Sequence, residues 1–162
     1  MRPVHWHLLV CGPVELKLPW PHYMHFLSLA QVSQRYNFKR VIVHTGSNLI
    51  PSHQPSEVTA ILSDFLASAK DFLPDTNIAF SCILPKVANN YLPGINKINH
   101  GMRKFCTESG IGVIEHAKYG SGNGRCIVNW RLICDDGIHP SFKGVAELEN
   151  DLARFVLTSS LN

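Results

Sequence analysis

Short runs of β-forming residues alternate along this chain with longer stretches whose apolar residues recur every three or four positions. That alternation restricts the fold more than any other feature. Pro3 to Cys11, Lys39 to Thr45, Asn77 to Leu84 and Ile111 to His116 read as strands, and the first three stop at Gly or Pro. Between and after them, four stretches have helical spacing: Pro21 to Tyr36; Val58, Ile61, Leu62, Phe65, Leu66 and Ala69; Leu92, Ile95, Ile98, Met102 and Phe105; and Val145, Leu148, Leu152 and Phe155. Pro21 suits a first helical turn, Ser56 an N-cap and Gly110 a C-cap. Val14 to Trp20 reads as a connection and Lys118 to Ile133 as a loop region. Strand–helix alternation predicts an α/β domain with a parallel sheet and right-handed crossovers. Leu148, Leu152, Ile61 and Phe65 should then be buried against that sheet. Ligands of such sheets bind at the carboxyl ends of the strands, so Gly12, Asn48 and the segment near Asp136 can share one rim despite their separation.

The segment Asp135-Asp136-Gly137-Ile138-His139-Pro140 is the chemically richest part of that rim. Asp136 and His139 are three apart, with Gly between them and Pro after, so they sit in a loop. A carboxylate close to an imidazole fixes its tautomer and raises its basicity, the pairing used in nucleophilic hydrolysis. The plain alternative is a turn with an incidental histidine. Asn48 follows a strand and the tight Gly46-Ser47 pair, where its amide can donate to a developing oxyanion or cap its own turn. Gly12, after the first strand, could offer its backbone N–H in the same way or serve only as a turn glycine.

Other functions gain little support. A net charge of +3 with no basic block gives no nucleic-acid footprint. No apolar run approaches the ~18 residues of a membrane span, and Met1 to Leu9 lacks the apolar core of a signal peptide. Five cysteines, at 11, 82, 106, 126 and 134, include no CxxC pair, so a reduced, cytoplasmic setting is expected. His5 and His7 alternate on a strand and His22 and His25 are one helical turn apart, but nothing brings the pairs together, and no metal or other cofactor is expected. Gly120 to Gly124 matches no nucleotide-binding loop, and Ser121 lacks the frame of a nucleophile elbow; a surface loop is the simpler reading.

VIVHTGSN, the strand IAFSCILP, INKINHGMRKFC and DDGIHPSFKG together resemble the SGNH (GDSL-like) hydrolases, over nearly the whole chain. The resemblance is strongest to esterase-like domains of vertebrate genomes, some of them associated with retroelements. It implies a single flavodoxin-like domain over residues 1–162 with strand order 2-1-3-4-5, and hydrolysis of small esters or acetyl groups. His139 matches the family's base, Asp136 its orienting acid, Asn48 the oxyanion-hole asparagine and Gly12 the oxyanion-hole glycine. Two departures stand out. Leu49 occupies a position that is usually Asp, and the first block, which carries the nucleophilic serine, has no counterpart. The expectation is therefore an SGNH-like domain without its first strand and inactive as written. A non-catalytic binding or scaffold domain is the alternative, and a histidine-based metal module a third. Loss of a central strand would leave the strands near Val4 to Val10 and Val41 to Thr45 with exposed edges, open to oligomerisation unless they pair directly.

Overall fold

Four strands form one sheet in the order β1 (His7–Cys11), β2 (Arg40–His44), β3 (Asn77–Ser81) and β4 (Gly112–Ile114). The computed structural model describes residues 7–11, 39–121 and 127–158. Pro21 to Tyr36 and Val14 to Trp20 lie outside them. β2, β3 and β4 run parallel, with Val41 opposite Ile78 and Phe80 opposite Val113. β1 departs from the expected parallel sheet: it pairs directly with β2, but antiparallel, His7 opposite His44 and Cys11 opposite Arg40. The strand pattern fixes that a strand exists, whereas its direction depends on the long connection to its neighbour, which is long enough for either.

The two faces of the sheet are covered by different helices. Val41, Val43, Ile78, Phe80 and Cys82 point to one side, where α1 (Pro55–Phe72) and α2 (Leu92–Ser109) bury Val58, Leu62, Leu66, Ile95, Ile98, Met102 and Cys106 against them. Ile42, Ala79 and Ile114 point to the other and meet Leu152 of α3 (Phe142–Thr158), with Leu148 and Phe155 partly buried beside it. The result is a three-layer α/β/α sandwich.

Several local expectations need correction. α1 starts at Pro55 with Gln54 as its N-cap, two residues ahead of Ser56, because Pro55 suits the first turn and Glu57 reaches back to accept the Gln54 N–H at 2.8 Å. Ile61 is 36% exposed and Leu148 only half-buried, since each lies at the margin of a stripe whose centre meets the sheet. Phe65 is half-buried at the edge of the core. The region from Lys118 to Ile133 is more regular than a loop: it contains the two-stranded pair β5 (Gly120–Ser121) and β6 (Ile127–Val128) and short 3-10 turns.

Gly110 ends α2 in the left-handed conformation, as its sequence position suggests. Just past β3, the buried Asn99 of α2 accepts the Ile83 N–H and donates to the Ile83 carbonyl, both at 2.9 Å. Arg103 of the same helix grips Glu115, after β4, through two hydrogen bonds. No described helix is long and apolar enough to cross a membrane.

Candidate active site at the carboxyl rim of the sheet

β2 ends in the turn that presents Asn48. Gly46 takes φ +97°, and its carbonyl accepts the Leu49 N–H at 3.1 Å. A Cβ at Gly46 would come within 2.9 Å of Leu62 and 3.1 Å of Ile83, so glycine is needed both for conformation and for space. Leu49 is buried in the main core and anchors the turn by apolar contact. Asn48 is exposed on the rim.

The segment before α3 builds an acid–imidazole pair. Asp136 Oδ1 accepts the backbone N–H groups of Ile138 at 2.8 Å and His139 at 3.0 Å, while Oδ2 lies 2.5 Å from His139 Nδ1. The carboxylate thus binds the near nitrogen of the ring and leaves Nε2 as the basic, outward atom. The hydrogen bond from the His139 ring, followed by those from the two backbone N–H groups, holds the Asp136 carboxyl down at about 2. Both side chains are open to solvent, His139 at 72% and Asp136 at 46%. Gly137, at φ +67°, lets the chain reverse between them. Ser141 caps α3, its Oγ accepting the Gly144 N–H at 3.1 Å.

The two loops are joined through the segment after β3. Lys86 donates from Nζ to the Ser47 carbonyl at 3.0 Å, and burial lowers its pKa. Val87 and Ala88 donate their N–H groups to the Gly137 carbonyl at 2.8 and 3.1 Å. Asn48, Asp136 and His139 therefore lie along the same rim. Gly12 lies outside the described residues, as do His5, His22 and His25. Among the described residues no three His, Cys, Asp or Glu side chains gather as a metal site would require. Nor is any described serine hydrogen-bonded to His139.

Sequence reading missed a second acid–imidazole chain beneath the rim. Asp151 of α3 lies 3.0 Å from His116 Nδ1, His116 Nε2 is 2.8 Å from Ser81 Oγ, and Ser81 Oγ is 2.8 Å from His44 Nδ1. Ser81, His116 and Asp151 are all buried. The signal for it is one of register. His44, Ser81 and His116 each stand two residues after an apolar residue facing α3, namely Ile42, Ala79 and Ile114. Asp151 interrupts the apolar stripe of Leu148, Leu152 and Phe155. A cleft of about 740 Å³ opens beside this chain, between α2 and the segment after β4; His100, Arg103, Glu115, His116 and Tyr119 help to line it, and Asp136 and His139 do not.

These features are those of a known class of fold. The structure is similar to a GDSL-like lipase from Bacteroides thetaiotaomicron (TM-score 0.66, 13% identity, covering 85% of this chain and 71% of that one). It is also similar to the esterase domain of an open-reading-frame protein from a zebrafish retrotransposon (TM-score 0.55, 20% identity, 65% of this chain and 61% of that one). A peptidoglycan O-acetylesterase aligns with TM-score 0.63 at 18% identity over 83% of this chain and 40% of the other. The chain has the SGNH (GDSL-like) hydrolase fold, with β1 reversed at its edge. No protein-family model matches the sequence, and no curated protein does.

Proposed function

We propose that this domain carries the acid–base and oxyanion-binding half of an SGNH-type acyl-ester hydrolase, and that the chain as given does not turn over esters. The observation that supports this most is the pair formed by Asp136 and His139 at the loop before the last helix, with the carboxylate on Nδ1 and Nε2 facing outward. In a working site a serine hydroxyl attacks the ester carbonyl and His139 Nε2 takes its proton. Asp136 holds the ring in that tautomer, and the Asn48 amide with the Gly12 N–H receives the charge on the carbonyl oxygen. The substrates that suit so open a dyad are small esters or acetylated groups. The buried free thiols Cys82 and Cys106 suit a reducing, cytoplasmic setting.

The test supplies the missing nucleophile. The 162-residue chain should hydrolyse an activated acetyl ester no faster than free imidazole and should not react with a fluorophosphonate probe. The same chain extended upstream by a strand ending in Gly-x-Ser should do both. The gain should vanish in His139→Ala and fall by roughly 10²–10³ in Asn48→Ala. Turnover by the unextended chain that depends on His139 would refute the inactivity. An extended chain that stays inert would favour a binding or scaffold role.

A further inference from the structure

The chain of side chains from Asp151 to His44 has an internal logic of protons. A carboxylate can only accept, so His116 Nδ1 carries a hydrogen toward Asp151 Oδ2. In neutral imidazole the other nitrogen is then bare, so His116 Nε2 accepts the Ser81 hydroxyl. Ser81 has one hydrogen, now committed, and its oxygen must accept from His44 Nδ1. With His116 neutral, the hydrogen bonds all run one way, from His44 through Ser81 and His116 to Asp151. The two rings meet edge to face, with centroids 6.2 Å apart.

The ends of this chain are as informative as its middle. His44 is the last residue of β2, and the turn Thr45 to Asn48 follows it directly. Asp151 lies on α3, the helix whose first residue, Phe142, comes three positions after His139. The buried chain therefore links the root of one half of the rim to the element that carries the other, by a route separate from the surface bridge at Lys86 and Gly137.

We propose that Ser81 and His116 are positioning residues, which hold His44 in its Nδ1–H form and thereby fix the turn bearing Asn48 relative to α3. The role of Asn48 rests on the hydrolase reading above; the tautomer of His44 does not.

Histidine ¹⁵N–¹H correlation spectra of the full chain at neutral pH test this without any turnover assay. Wild type should show hydrogens on Nδ1 of both His44 and His116, with Nε2 of His116 carrying none. Ser81→Ala should leave His116 as it is, held by Asp151, but remove the fixed form of His44 and shift the backbone amides of residues 45–48. Ser81→Thr, which keeps the hydroxyl, should restore both signals. Wild-type His44 with its hydrogen on Nε2 would overturn the proposal, and that measurement stands even if a Ser81 variant fails to fold. So would Ser81→Ala spectra in which His44 or residues 45–48 do not move. Failure of the ester assays with these signals intact would remove the hydrolase reading alone.

Discussion

The molecule contains two acid–histidine pairs made through the same ring nitrogen, in opposite surroundings. Asp136 and His139 are three residues apart, exposed, and held by their own loop. Asp151 and His116 are far apart in sequence, buried, and joined only because α3 packs on the sheet. The exposed pair can move charge at a surface where a substrate could arrive. In the buried pair both imidazole nitrogens are committed inside the core, so it serves geometry. An acid beside an imidazole is thus no mark of catalysis until one knows which nitrogen faces out.

Removing the central ring of the buried chain should have the largest effect on folding. His116→Ala leaves Asp151 buried without its partner and should cost about 3–5 kcal/mol in denaturant unfolding. His139→Ala should leave the same transition in place. Equal losses for the two would erase the distinction. Leu152→Ala, at the apolar contact beside Asp151, should cost roughly 2–5 kcal/mol; a value within ~0.5 kcal/mol of zero would mean that α3 is not packed as described.

Smaller changes probe the exposed pair. Gly137→Ala forces a side chain into the left-handed region at a cost of about 1–2 kcal/mol. There the added Cβ would also meet Val87 at 3.0 Å and the Ala88 nitrogen at 3.1 Å. Carboxyl NMR should show Asp136 titrating near 2, and His139→Ala should move it back toward 3.8. Because the folded value is depressed, the contribution of this pair is present above the unfolded pKa and fades as the pH falls from about 4 toward 2. The mildest test concerns thiols. Burial raises Cys82 to about 12 and Cys106 to about 11, so a thiol reagent at pH 8 should reach half-buried Cys134 well before either.

The layers of the fold were legible because each central strand holds a short apolar run and each described helix has a periodic stripe. The exposed pair was legible because Asp136, Gly137 and His139 form one contiguous loop. What escaped was either directional or long-range. β1 was readable as a strand, but nothing in HLLVC says that it runs against VIVH. Ser81 read as a residue within a strand and His116 as the end of one, since their meaning depends on a register among three strands and a helix that only the packed fold creates. Ile61 and Leu148 were assigned to the core because a helical stripe predicts a face without predicting its width.

Asn99 also bears on how the backbone is satisfied where β3 ends. Beyond Ser81 the parallel ladder ends, and the N–H and carbonyl of buried Ile83 would otherwise lack partners. The side-chain amide of Asn99 answers both at once and so ties α2 to the carboxyl end of β3. Asn99→Asp would replace the donor by a second acceptor facing the Ile83 carbonyl. The repulsion would loosen the carboxyl end of β3 from α2.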